Sequence, residues 1–171
     1  TYHDVLALPA TPTNTSPPPT ATFTVPPPTV TFTPTPAATP VTGCSNIQPS
    51  GTITIAAKTM YLNIYNPMLY NVTVSDVFVV WNYPEGANGH PITLKSAQMN
   101  SALGNNVFWT GNVEAQSFSP PLSTTVMIPA NSTSRILFTF DKMYTTFAGE
   151  QIQIRFSTPG CQDHTINVVR P

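Results

Sequence analysis

Three histidines, His3, His90 and His164, are the first residues to weigh for chemistry. A zinc site needs ligands at i, i+4 on a helix or a His-x-Glu spacing, and none of the three has such a neighbour. Asp163 precedes His164, and a carboxylate beside an imidazole is part of the apparatus of nucleophilic hydrolysis. No Gly-x-Ser-x-Gly elbow presents a nucleophile, however, and adjacent residues on a strand face opposite sides. The carboxylates Asp76, Glu85, Glu114, Asp141, Glu150 and Asp163 are scattered, without the Asp-x-Asp-x-Asp-Gly pattern of a calcium loop. Nothing argues for the paired acids of glycoside hydrolysis. The expectation is a protein that is not an enzyme, with no catalytic, metal or cofactor-binding residues.

Two weaker signals concern sugars. Trp81, Tyr83, Phe108 and Trp109 are numerous enough for a platform that stacks on pyranose rings. The competing reading is stronger: Trp81 closes a buried-looking strand, and one of Phe108 and Trp109 faces in while the other faces out. Asn-x-Ser/Thr sequons begin at Asn14, Asn71 and Asn131 and are glycosylation candidates.

Charged residues make up only 8% of the 171, with a net charge of −1. That balance gives no electrostatic reason to expect nucleic acid or an anionic membrane as partner. No run of 18 apolar residues could span a bilayer. The chain begins with Thr1 and shows no basic n-region before an apolar core. An export signal is therefore expected to have been removed or to lie outside this segment.

The composition breaks near Gly43. Residues 1–43 hold much of the excess of proline, with Asp4 as their single acidic residue and no Lys or Arg. Such a tail lacks the charge that keeps ordinary disordered segments soluble. Hydroxyls, attached sugars or a partner must do that instead. Thr20, Thr22, Thr24, Thr29, Thr31, Thr33 and Thr35 are candidates for O-glycosylation, as is common in Ser/Thr-Pro stalks. Phe23, Val25, Val30 and Phe32 alternate strictly with threonines, and Val5, Leu6 and Leu8 form a more apolar patch. Alternation of this kind marks a strand that adds to a sheet edge. These seven apolar residues are the expected subunit contacts.

Residues 44–171 read as one folded domain. Short strands are expected at 51–57, 59–66, 71–83, 91–99, 106–116, 124–128, 134–141, 150–157 and 164–170, with turn signals between them. About seven to nine strands at this spacing predict an all-β, Ig-like antiparallel sandwich. Alternation places Ile53, Ile55, Leu62, Ile64, Val72, Val74, Val77, Val79, Trp81, Ile136, Phe138, Phe140, Ile152, Ile154 and Phe156 inside. The change of phase between Val74 and Val77 predicts a bulge or a bend. Cys44 and Cys161 bracket the domain, which suggests a disulfide formed in an oxidising compartment. The alternative is two unrelated buried thiols.

"CSNI" after a Thr/Pro stalk, then "MYLNIYNPMLYNVTVSDVFVVW", "VFWTG", "PANSTSRILFTF" and "IQIRFSTPGC", resembles a β-sandwich module. It recurs at the C-termini of secreted and pseudopilin-like bacterial surface proteins. The resemblance covers residues 44–171. It implies a structural or adhesive module on the cell surface and carries over no catalytic residues.

In polyproline II form a tail of this length would reach roughly 130 Å, about three diameters of the domain. Together these features point to a subunit of an extracellular, pilus-like filament. Its tail would pack on or into other copies of the same chain. The alternative is a cell-surface stalk whose sandwich head binds glycans or other cells.

Overall fold

The computed structural model describes residues 43–81, 92–144 and 148–171, together with Ser16. Eleven strands are present among them. They are β1 (Gln48–Pro49), β2 (Thr54–Ala56), β3 (Thr59–Asn66), β4 (Val72–Val80), β5 (Leu94–Ser101) and β6 (Gly104–Val113), then β7 (Ser117–Phe118), β8 (Val126–Ile128), β9 (Ser132–Phe140), β10 (Gln151–Phe156) and β11 (Thr165–Val169). Strands run antiparallel in two sheets. The first has the order β1-β3-β9-β5-β6, with β2 sharing the β3 edge; the second has β11-β10-β4-β7, with β8 sharing the β4 edge. The architecture is an all-β sandwich.

β3 shows why these residues form strands. Met60, Leu62, Ile64 and Asn66 point inward, while Thr59, Tyr61, Asn63 and Tyr65 point outward. A period of two fits only an extended chain with one covered face. Its expected bounds, 59–66, are those observed. In β4 the phase changes as anticipated: Arg155 pairs with Asp76 but Phe156 with Val74, leaving Ser75 as the extra residue of a bulge.

The core draws on both sheets. Leu62, Ile64, Met99, Phe108, Ile136 and Phe138 meet Val72, Val77, Val79, Ile152, Ile154 and Phe156, all buried. Trp81 packs at a tilt on Phe140 (5.7 Å between ring centres), which in turn packs on Tyr144 (5.1 Å).

Three sequence expectations need correction. The 51–57 strand contracts to Thr54–Ala56, and Ile55 is only half buried, because β2 hydrogen-bonds to β3 alone at the rim of its sheet. The strand expected at 71–83 ends at Val80, and residues 82–91 lie outside those described. β1 and β7 were not anticipated. Each has two residues, one containing Pro49 and the other followed by Pro120 and Pro121. Proline lacks the N–H a ladder needs, so such pieces survive only at edges.

Candidate functional site

Where the chain enters the sandwich, a disulfide, a ring stack and several hydrogen bonds converge. Cys44 opens a 3₁₀ turn, Cys44–Asn46, and is bonded to Cys161, 117 residues later, with the Cα atoms 5.1 Å apart. Both cysteines are buried. This confirms the pairing expected from the sequence. On the far side, Cys161 sits in the turn between β10 and β11, where its N–H donates to Thr158 O and its own carbonyl accepts from His164 N–H. The His164 ring stacks on Phe156 (5.7 Å, 9° between planes), and its Nε2 lies 2.8 Å from the Ile47 carbonyl oxygen. The entry segment at one sheet's rim is thereby pinned to the start of β11 at the other's.

β11 forms the outer edge of the second sheet. Arg170 N–H donates to Glu150 O at 2.8 Å, on the β10 side. Antiparallel ladders alternate, so Val168 and Ile166 also bond toward β10, while Thr165, Asn167 and Val169 aim their backbone groups at the other side, which is open among the described residues. Residues 165–169 include neither charge nor proline, the usual guards of an exposed edge. Val169 is 55% exposed.

The other edges are broken or covered. β6 is flanked by the segment before β8: Ser123 N–H donates to Phe108 O (3.1 Å), and Asn106 exchanges hydrogen bonds with Thr124 and Thr125 (2.8 Å each). β7 and β8 are two and three residues long, and β1 and β2 are equally short.

The outer face of the first sheet is polar. Tyr61, Asn63 and Tyr65 on β3 stand beside Leu137, Arg135 and Thr133 on β9, with Gln98 and Asn100 on β5 completing the rows. The Arg135 guanidinium covers the Tyr61 ring at 4.2 Å, and its Nε donates to Asn63 Oδ1 at 3.0 Å. A shallow depression lies among Asn63, Asn100, Thr133 and Arg135.

The aromatic platform weighed in the sequence does not form. Trp81 and Phe108 are core, and Trp109 lies against Phe118 (5.0 Å) and over the backbone of Gly111, whose missing Cβ leaves it room. Tyr83 is outside the described residues.

No family model matches this chain, and no curated protein does.

Among the sequons, Asn71 and Asn131 are both exposed and near each other: Asn71 Oδ1 accepts from Ala130 N–H, and Asn131 Oδ1 accepts from the Tyr65 hydroxyl. Asn14, the seven tail threonines (Thr20 to Thr35) and the contact candidates Val5, Leu6, Leu8, Phe23, Val25, Val30 and Phe32 lie outside the described residues. Among the described residues no group of His, Cys, Asp and Glu is placed to hold a metal ion.

Sequence reading missed two polar residues of structural weight. Asn66 is wholly buried, its amide donating to the carbonyls of Tyr70, Ile128 and Pro129 at 3.0–3.1 Å and its Oδ1 accepting from Met68 N–H. Asn66-Pro67 reads as a turn in sequence, and that signal does not distinguish an exposed Asn from one clamping the turn after β3 to the segment that ends β8. Glu150 is also buried, 3.6 Å from the Arg170 guanidinium and 3.4 Å from the Tyr144 hydroxyl.

Proposed function

We propose that this protein is a structural subunit of an extracellular, pilus-like surface filament, assembled through its N-terminal tail packing on or into neighbouring copies. One observation carries the reading. Among the described residues the buried core runs from Cys44 to Ile166 and is closed by its own disulfide. In the sequence, Phe23, Val25, Val30 and Phe32 alternate with threonines outside that span, and apolar side chains with regular alternation need a surface to cover them. Contacts of this head-to-tail kind are heterologous, and when they do not close into a ring they build open filaments.

The Ig-like assignment belongs to the same proposal. Consecutive strands β3 and β4 lie in opposite sheets, as do β9 and β10, the crossing pattern of Greek-key sandwiches. Resemblance to the C-terminal module of pseudopilin-like surface proteins points the same way. An extracellular site is supported by the buried disulfide. Among the described residues no helix is long and apolar enough to cross a membrane.

The test is negative-stain microscopy with light scattering on the full chain and on a variant with Phe23, Val25, Val30 and Phe32 changed to Asp. Filaments of the first that vanish in the second support the reading. A parent chain that stays monomeric across concentration, with its native glycosylation, ends it.

The polar outer face of the first sheet favours a second reading, a stalk with a glycan-binding head. Amide side chains and a guanidinium beside tyrosines suit a neutral polyhydroxyl ligand. Glycan-array binding abolished by Arg135→Ala in a monomeric protein would select it.

A further inference from the structure

We infer that the open edge of β11 is the acceptor for one tail strand, residues 29–33, of a second copy of this chain. The inference rests on the filament reading and names its contact. The acceptor is five residues long, Thr165–Val169, and so is the donor, Thr29-Val30-Thr31-Phe32-Thr33. Both measure about 17 Å as strands.

The side chains match as well as the lengths. On β11, Ile166 is buried and Val168 half buried against the core, while Thr165, Asn167 and Val169 face outward. Cross-strand neighbours share a face. A donor in register sets Val30 and Phe32 beside Ile166 and Val168, covering the exposed flank of Val168. Its threonines then run beside Thr165, Asn167 and Val169, hydroxyl beside amide. The backbone groups of those three residues aim outward, and a donor strand satisfies them. Near the start of the edge, the Ile47 carbonyl already meets His164, so Asn167 and Val169 are the freer part.

The composition of the tail assigns the donor to another copy. Forty-two residues precede Gly43, and the last ten before it include Pro34, Pro36 and Pro40. That composition favours extended polyproline II, about 3.1 Å per residue, a semi-rigid spacer. In that form the ten residues after Thr33 would span roughly 30 Å, whereas β11 begins four positions after Cys161. Each copy then offers one donor and one separate acceptor, the condition for an open chain of subunits.

Two acceptor variants and one donor variant test this in the full-length protein. Asn167→Pro removes an N–H that faces away from β10, along with the exposed bond its Oδ1 accepts from Gln151 Nε2 (2.7 Å), and proline is tolerated at edges. Val169→Lys adds a charge of the kind that guards exposed edges. Phe32→Asp disables the donor. Each variant is expected to melt within a few degrees of the dissociated parent chain and to remain a single chain in light scattering. A mixture of Asn167→Pro with Phe32→Asp should stop at two chains, since only one productive pairing exists. If both β11 variants still form parent-like filaments, this edge is not the acceptor, although the filament reading stands. If the parent chain never assembles, both fall. A monomeric parent whose melting drops on Asn167→Pro would show pairing within one chain, which also overturns the inference.

Discussion

His164 donates from Nε2 to the main-chain oxygen of Ile47 at 2.8 Å, across the seam where the rims of the two sheets meet. A carbonyl can only accept, so Nε2 carries a proton whatever the charge of the ring. With the flat stack on Phe156, the bond holds the start of β11 against the entry segment. His164→Ala is expected to cost about 1–3 kcal/mol, from the lost hydrogen bond and the lost ring packing. Urea unfolding of the two proteins checks it; an unchanged midpoint would mean that the seam is held elsewhere.

Beside this contact lies the Cys44–Cys161 bridge, which closes a loop of 117 residues. Chain-entropy arguments give such a loop about 4–5 kcal/mol, because the unfolded chain loses most of its end-to-end freedom. Unfolding with and without reductant, and of the double Cys→Ser variant, should differ from the oxidised protein by that amount. A difference below about 1 kcal/mol would show that the reduced chain keeps its ends together by other means.

Asn66 predicts a more selective effect. Its amide donates to three carbonyl oxygens. Asn66→Ala removes all three bonds and leaves buried acceptors behind, a loss of about 2–4 kcal/mol. Asn66→Asp keeps the shape but turns donors into acceptors, so a carboxylate faces carbonyls. Its loss should grow as pH rises through the range in which the carboxyl ionises. A variant as stable as the parent at neutral pH would show that the segments at Tyr70 and at Ile128–Pro129 do not depend on this amide.

Burial pushes the Tyr70 phenol above its ordinary value, and among the described residues its buried hydroxyl has no hydrogen-bond partner. In the unfolded chain the phenol ionises near about pH 10. The folded state holds its proton longer, so the contribution is intact below that pH and is lost as pH climbs toward the raised value. Alkaline unfolding should therefore be less steep in Tyr70→Phe, which at neutral pH is expected to be neutral or up to about 1 kcal/mol more stable. Identical alkaline profiles would show that Tyr70 keeps its proton no longer folded than unfolded.

Much of this fold could be read from alternation. β3, β9 and β10 repeat with a period of two over six to nine residues, long enough for their inward faces to be recognised. β1 and β7 are too short to show a period at all. Alternation says which face of a strand is covered, but not which strand lies beside it. The open edge of β11 was therefore illegible, although "TINVV" is visibly free of charge. Asn66 was illegible for another reason: its value lies in main-chain carbonyls up to 63 positions away, which carry no side-chain signature. The disulfide was legible because only two cysteines exist to pair. The tail contacts and tail glycosylation candidates lie outside the described residues.

The bridge between Cys44 and Cys161 also decides how the protein bears tension. A pull on the tail reaches the sandwich at Cys44, and only three residues separate Cys161 from Thr165, where β11 begins. Force passing from the tail of one copy to a strand gripped at β11 takes a covalent short cut, through one sulfur–sulfur link and a single turn. The other strands lie off that path. A thread built from such units would stretch in its proline segments and slip at its strand contacts before any sandwich opened, and a reductant would weaken it far more under load than at rest.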